Sequence, residues 1–317
     1  GNSYNLGNVS SKGHNVGGLV GHAINSTIGD GEHLVYNVLD VTGAYNVGGI
    51  VGNIEGSGST VKNAENSGTV TATSSKEDTY TYHTGETNQG NLPRGTQLDS
   101  GVASITVNVA NVGGIAGTSN QSVIENVTNS GDVSSHKQEG NNFYDAGNVG
   151  GIVGSAVDTK ITNATNRENE VRGAHNVGGV AGYFGGKGTV TAGINDGGDI
   201  MATGARNATD FVKEQVRPQN ESNEEFIIGN IGGIVGYMDG DKVYVTGSAN
   251  RGTVHTSEPA DPAAVKDWEK AANVGGVVGK IDRSDTLELK NIMEDVTKAA
   301  VSNSYNTGDV LGYTGIG

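Results

Sequence analysis

The heptapeptide "NVGGIVG" occupies residues 46–52, and six near copies of it begin at residues 15, 111, 148, 176, 230 and 273. We call it the glycine motif and number its places 1 to 7. Places 3, 4 and 7 are glycine in every copy, place 1 is always Asn, and the other places are aliphatic. A motif with so few side chains, repeated along one chain, indicates architecture and not chemistry.

A second motif alternates with the glycine motif from end to end. Its clearest copies are "VKNAENSGTV" at 61–70, "IENVTNSGDV" at 124–133 and "VSNSYNTGDV" at 301–310. We call it the asparagine motif, with the pattern aliphatic, any, Asn, two of any, Asn, any, Gly, any, Val. One copy of each motif makes a repeat, and the shortest repeat, from Asn148 to Asn176, is 28 residues long.

The longer repeats carry their extra residues mostly at one position within the repeat. This position lies between the Val that closes the asparagine motif and the next glycine motif. These predicted insertions are residues 71–110, 134–147, 201–229 and 255–272, while a fifth, 280–300, lies at another junction. Insertions at one phase emerge on one side of a stack of repeats. We therefore expect residues 1–317 to form a single array, a segment of a longer solenoid, with loops on one side.

The apolar residues come in short runs bounded by Gly and Asn, which indicates short strands and tight turns. With 53 Gly and only 5% aromatic residues, the chain is poor in the side chains that fill a globular core, and no repeat buries a core alone. The predicted fold is all-β: a β-solenoid, or right-handed β-helix, of about seven coils. Only residues 261–272, inside an insertion, have a helical pattern.

Places 2 and 5 of the glycine motif are aliphatic in all seven copies, and we expect both to face the core. A Gly-Gly bend through positive φ would allow this. Place 6 would then point outward and form an exposed aliphatic stripe. The place 2 and place 5 residues are Val16, Leu19, Val47, Ile50, Val112, Ile115, Val149, Ile152, Val177, Val180, Ile231, Ile234, Val274 and Val277. The place 6 residues are Val20, Val51, Ala116, Val153, Ala181, Val235 and Val278.

The recurring asparagines favour a structural interpretation. Identical Asn side chains stacked in successive repeats form hydrogen-bonded ladders, and Asn also tolerates left-handed turns. The strongest candidates are each followed two residues later by Gly: Asn5, Asn66, Asn129, Asn250 and Asn306. His14, Tyr45 and His175 directly precede glycine motifs, where packing at a corner is the expected role.

Composition and missing motifs exclude several functions. The net charge of −15, without a basic cluster, argues against a nucleic-acid partner. There is no Cys, and no apolar run near 18 residues, so we expect neither thiol chemistry nor membrane insertion. The chain lacks "HExxH", "GxSxG" and "GxxxxGK". We therefore predict no catalytic residue, no resident cofactor and no enzyme activity.

Three acidic residues, which we call the acidic line, are candidates for a metal site. Asp132, Glu170 and Asp199 each precede the closing Val or Ile of an asparagine motif, so stacked repeats place them in register. Neighbouring carboxylates favour a cation such as Ca²⁺. The alternative, which we prefer, is that all three are solvated turn residues.

The motifs resemble the GLUG repeat, which is named for Gly-Leu-any-Gly and occurs in large bacterial surface and secreted proteins. Gly18-Leu19-Val20-Gly21 matches that name literally, and the other copies have Ile or Val for Leu. The resemblance implies an extracellular or cell-surface bacterial protein with a β-helical stalk or adhesive region. The immunoglobulin-cleaving peptidases that carry this repeat need a zinc-binding "HExxH", which is missing here.

We therefore expect a non-catalytic surface module that displays its insertions to a host or cell-surface protein or glycan. The candidate contact residues are Tyr80, Tyr82, His83 and Arg94 in insertion 71–110, together with insertion 201–229, because aromatic and Arg side chains are common contact anchors. One alternative is a glycan-binding or glycan-active region of a secreted enzyme. Another is a filament subunit that self-associates end to end.

Overall fold

The computed structural model of the chain describes residues 2–73, 76–83, 102–135, 147–202, 205–206, 226–227, 229–256, 272–282 and 300–312. Within these ranges the chain is all-β and contains no helix. The predicted helix at 261–272 lies outside the described residues, except that its last residue, Ala272, begins a strand.

The strands are short. The first eleven are β1 (Ser3–Asn5), β2 (Val9–Ser10), β3 (Val16–Gly17), β4 (Val20–Ile24), β5 (Thr27–Ile28), β6 (Val35–Asn37), β7 (Val41–Gly43), β8 (Val47–Gly48), β9 (Val51–Glu55), β10 (Thr60–Asn66) and β11 (Val70–Ala72). Next come β12 (Lys76–His83), β13 (Val102–Val109), β14 (Asn111–Gly113), β15 (Ala116–Asn120), β16 (Val123–Asn129), β17 (Val133–Ser134), β18 (Asn148–Gly150), β19 (Val153–Val157), β20 (Lys160–Arg167), β21 (Glu170–Gly173), β22 (Asn176–Gly178), β23 (Ala181–Asp196) and β24 (Asp199–Ala202). The last are β25 (Ala205–Arg206), β26 (Phe226–Ile227), β27 (Gly229–Gly232), β28 (Val235–Thr246), β29 (Ala249–Asn250), β30 (Val254–Thr256), β31 (Ala272–Gly275), β32 (Val278–Asp282), β33 (Val301–Ser302), β34 (Tyr305–Asn306) and β35 (Val310–Leu311).

Successive repeats pair in parallel and build three sheets. Sheet 1 holds the starts of the glycine motifs, in the order β3-β8-β14-β18-β22-β27-β31. Sheet 2 has 16 strands and combines the ends of the glycine motifs with the first parts of the asparagine motifs, which the long strand β23 joins. Sheet 3 holds the closing valines, in the order β2-β7-β11-β17-β21-β24-β30-β35. Two pairs, β12 with β13 and β25 with β26, are antiparallel.

Equivalent places pair with one another in every sheet. In sheet 1, for example, Val112 pairs with Val47 on one side and with Val149 on the other. The repeated sequence therefore stacks on itself, since each place recurs at the same height along its strand. Mostly parallel strands in curled sheets are consistent with a β-helix or solenoid.

The interior contains two separate apolar clusters. One is formed by the place 2 residues and the closing valines, such as Val47 and Val70. The other is formed by places 5 and 6 and by the aliphatic residues of the asparagine motifs, such as Ile50, Val51 and Val61. The chain thus divides its few aliphatic side chains between two narrow columns.

The prediction that place 6 points outward is wrong. Val51, Ala116, Val153, Ala181 and Val235 are fully buried, and Val20 and Val278, on outer strands, pack against the same cluster. The main chain bends at places 4 and 5, and the next strand begins at place 6. The inward-outward alternation therefore restarts after place 5, so places 5 and 6 both face inward. There is no exposed stripe that a partner must cover.

The expected reason for the glycine pair is also wrong. The glycines at places 3 and 4, all of them described, do not have positive φ. They are required for space: a Cβ at Gly49 would overlap the main-chain oxygen of Gly114 and the side chain of Asn66. Positive φ occurs instead at asparagines of both motifs. In the glycine motif it is found at place 1 in Asn15 (55°) and Asn46 (53°). In the asparagine motif it is found at the first Asn, as in Asn63 (54°), Asn126 (55°) and Asn163 (51°).

Replacing Val153 by alanine tests the inward direction of place 6. The side chain is fully buried, and its partners in the neighbouring repeats are Ala116 and Ala181. These short side chains cannot fill the cavity from along the row. We expect the free energy of unfolding, measured by urea titration, to fall by about 2 kcal/mol. Val38→Ala is the control, because Val38 is 37% exposed, and should change stability by less than about 0.5 kcal/mol. Equal effects of both substitutions would contradict the buried assignment.

Candidate functional site

A ladder of eight asparagine side chains runs through the protein. Each Nδ2 donates to the Oδ1 of the next, at 2.6 to 3.1 Å. The members, in order, are Asn5, Asn37, Asn66, Asn129, Asn166, Asn195, Asn250 and Asn306. Three of them, Asn37, Asn166 and Asn195, were not among the strongest sequence candidates, because their copies of the motif are irregular. We call this the inner ladder.

The inner ladder lies between the two apolar clusters. Asn66 is fully buried, and its Nδ2 also donates to the carbonyl oxygen of Gly68 at 2.8 Å. Glycine is required there for space, because a Cβ at Gly68 would overlap the main-chain oxygen of Leu39. On its other side Asn66 is so close to Gly49 that a Cβ there would overlap it. The ladder supplies hydrogen bonds to the interior, and burial keeps its central amides away from any ligand.

A second ladder follows place 1 of the glycine motif, and sequence reasoning missed it. The seven place 1 side chains are linked by six Nδ2-to-Oδ1 hydrogen bonds of 2.8 to 2.9 Å. They are Asn15, Asn46, Asn111, Asn148, Asn176, Asn230 and Asn273. Here each later Asn donates to the earlier one, the reverse of the inner ladder. An Asn at place 1 of every copy was the signal in the sequence. We call this the outer ladder.

The acidic line is held by local contacts. Asp132 Oδ1 accepts the main-chain N–H of Glu170 at 2.9 Å, and Arg172 Nη1 lies 3.4 Å from Glu170 Oε1. His255 Nε2 is 2.9 Å from Asp199 Oδ1, without hydrogen-bond alignment. In the part of the chain that the structure describes, no group of three or more His, Cys, Asp or Glu is placed to hold a metal ion.

The structure describes three of the four predicted contact residues, and of these only the backbone. Tyr80, Tyr82 and His83 belong to β12, whose backbone pairs with β13 so that Tyr80 is opposite Ile105. Arg94 lies outside the described residues. So do 136–146, 283–299 and most of insertions 201–229 and 255–272. Within 201–229 the structure describes residues 201–202 and 229 and the short strand pair of β25 with β26. Insertion 71–110 is thus described as a hairpin of two eight-residue strands.

Another set of side chains lines the outer surface of sheet 2, next to the outer ladder. We call the first and third residues after each glycine motif places 8 and 10. Some bulky place 8 side chains contact the place 10 acid of the next repeat. His22 Nε2 lies 2.8 Å from Glu55 Oε1, and the Tyr183 hydroxyl donates to Asp239 Oδ2 at 3.0 Å. Such pairs fill the surface of sheet 2 near both ends of the stack.

Between these pairs, place 8 holds only short side chains: Asn53, Thr118 and Ser155, which stack in register. They form the floor of a depression of about 320 Å³, and Asn46 and Asn111 of the outer ladder form one wall. We call this depression the polar trough. Among the described residues that line it, Glu55 alone is charged, and it is the residue paired with His22.

An aromatic ring completes the wall of the polar trough. Tyr45 lines it and stacks on His14, with ring centroids 5.0 Å apart and planes inclined by 4°. The ring is therefore held in a fixed orientation beside the amide groups.

The described residues contain no helix that is long and apolar enough to span a membrane. Searches for a matching family, for a similar curated protein and for a similar solved structure find no match to the chain.

Proposed function

We propose that this protein is a non-catalytic extracellular module of the bacterial cell surface, in which a right-handed β-helix of about seven coils serves as a rigid stalk. The observation that carries the proposal is the registered stacking of equivalent places, reinforced by two asparagine ladders that link successive repeats. Such a structure resists bending, because every repeat is hydrogen-bonded to its neighbours. The extracellular location rests on the resemblance to GLUG repeats.

The stalk presents its insertions as contact surfaces for a host or cell-surface protein or glycan. Strand β11 ends in sheet 3 and β14 begins in sheet 1, and the antiparallel hairpin β12–β13 lies between them in the sequence. Two paired strands of eight residues give a hairpin about 25 Å long. This hairpin carries Tyr80 and Tyr82, residue types that serve as contact anchors.

Deleting residues 74–109 tests the display function. The deletion leaves Thr73-Ala110 between Ala72 and place 1 of the next glycine motif. The chain already has two residues at this point in other repeats, Ala44-Tyr45 after Gly43 and Ala174-His175 after Gly173. We expect the stalk to fold with an unchanged β-sheet circular dichroism spectrum. Binding to at least one host extracellular protein or glycan of an immobilised array should fall by about tenfold or more.

The matched control for this experiment is the intact chain carrying Tyr36→Ala, which removes a tyrosine of sheet 2 that stacks on Tyr4. This variant should bind the array like the unmodified protein. Equal binding by the deletion variant, or no binding by the intact chain, would overturn the proposed role of the hairpin.

A further inference from the structure

We propose that the polar trough binds a short neutral oligosaccharide. This site is distinct from the displayed hairpin, since its floor and walls come from the repeats themselves. The inference therefore goes beyond the proposed display function, and either can fail without the other.

The shape of the trough fits a ligand of a few sugar rings. Its floor spans the three repeats that contribute Asn53, Thr118 and Ser155, so its length is about two to three strand spacings, or roughly 10 to 14 Å. The His22–Glu55 pair bounds it at one end, and Tyr183 follows Ser155 in register at the other. The volume of about 320 Å³ falls at the lower end of the range for small-molecule sites.

The hydrogen-bonding groups of the trough match hydroxyl groups. Asn46 and Asn111 each use one N–H and one oxygen lone pair in the outer ladder, which leaves one donor and one acceptor on each amide. Asn120 and Ser155 also line the trough, and neither side chain forms a hydrogen bond with another described residue. Because a sugar hydroxyl both donates and accepts, it suits such an alternation of donors and acceptors.

Charge excludes ionic ligands. An anion would meet Glu55 and a chain of net charge −15, and no lining residue in the described structure is a cation that would offset this repulsion. A cation would have to compete with His22 for Glu55, the one lining carboxylate. A neutral ligand is not repelled by Glu55 and does not compete with His22.

The aromatic wall and the sheet favour a sugar over a peptide. The apolar face of a pyranose ring packs on an aromatic ring such as Tyr45, which stacking on His14 already orients. An extended peptide binds best by adding a strand to a free sheet edge. The trough offers no such edge, because its central strand β15 pairs with β9 on one side and β19 on the other.

Filling the trough with a side chain tests the proposal. Ser155→Tyr introduces at place 8 the residue that Tyr183 and Tyr237 already provide in later repeats of the same row, so the fold should tolerate it. The control is Thr128→Tyr, on a different outward row of sheet 2, where Tyr36 occurs two repeats away. Isothermal titration calorimetry with neutral tri- and tetrasaccharides of β-1,4-glucan, α-1,4-glucan and β-1,4-linked N-acetylglucosamine gives the Kd values.

We expect the intact chain to bind at least one of these saccharides, and Ser155→Tyr to raise that Kd by about tenfold or more. Thr128→Tyr, and the variant lacking residues 74–109, should keep the unmodified Kd. If no saccharide binds, if Ser155→Tyr binds as well as the intact chain, or if the hairpin deletion removes binding, the assignment is overturned. If Ser155→Tyr does not reach the unfolding midpoint of the intact chain, Asn120→Tyr replaces it under the same criteria.

Discussion

Gly114→Ala is expected to lower the free energy of unfolding by about 3 kcal/mol or more. Gly114 is place 4 of a central glycine motif, and an added Cβ would overlap both the main-chain oxygen of Gly151 and the side chain of Asn129. Neither group can retreat, because the oxygen belongs to the stacked backbone and Asn129 is fixed in the inner ladder. Urea unfolding followed by circular dichroism measures the effect.

Gly58→Ala is the matched control for this substitution. Its Cβ would meet no atom within 4 Å, and its φ is not positive. The same change should therefore leave stability unchanged or raise it by up to about 1 kcal/mol, because alanine has less conformational freedom in the unfolded chain. If Gly114→Ala were as stable as Gly58→Ala, the close packing of place 4 against the inner ladder would be disproved.

Asn129→Leu is expected to cost about 3 kcal/mol of unfolding free energy. The leucine is similar in size but removes four hydrogen bonds, to Asn66, Asn166 and the N–H and carbonyl groups of Gly131. One N–H of the Asn66 amide and the main-chain N–H of Gly131 would then lose their acceptor in a buried site, whereas the Gly131 carbonyl still accepts from Asn169. Each unsatisfied buried group adds its own desolvation penalty, so the loss exceeds that of one ordinary hydrogen bond.

Asn120→Leu is the matched control. It shows whether the loss of unfolding free energy in Asn129→Leu comes from the ladder or from the loss of any amide side chain. Asn120 is exposed, and its side chain forms no hydrogen bond with another described residue, so Asn120→Leu should change the unfolding free energy by less than about 0.5 kcal/mol. A small loss for Asn129→Leu, comparable to that of Asn120→Leu, would show that the inner ladder contributes little to stability.

The expected effects of Gly114→Ala and Asn129→Leu both test one contact, between the glycine motif and the asparagine motif. Inside the protein the glycine motif lies against the asparagine motif. Because glycine has no side chain, the amide group of the asparagine fits into the space beside it. The repeated Gly and the repeated Asn are therefore complementary, and neither is explained by its own motif alone.

Much of the strand arrangement was predictable from the sequence. Short runs of aliphatic residues such as Ile50-Val51, bounded by Gly and Asn, predict strands, and the strict alternation of two motifs predicts that like places stack in parallel. Asn66 and Asn129 lie in one ladder, at equivalent places of two neighbouring repeats. The second ladder, through Asn46 and Asn111, was equally visible as a constant place 1.

The candidate site was not predictable in the same way. The polar trough forms because Asn53, Thr118 and Ser155 are the short members of a row whose other members include His22 and Tyr183. Place 8 lies outside both motifs, so nothing in the repeat pattern marks it. The trough also needs the outer ladder as its wall, which depends on how sheet 1 meets sheet 2.

The sequence by itself determined which residues are neighbours along the stack, because a repeated motif in parallel strands pairs each place with its own copy. Tertiary structure alone decided the cross-section: that the chain bends at places 4 and 5, that Val153 at place 6 faces inward, and that glycine is needed for space and not for positive φ. The physical reason is that the periodicity of the sequence specifies which residues are neighbours along the stack. Contacts across it, such as Gly114 with Asn129, depend on the packing of backbones that belong to different motifs.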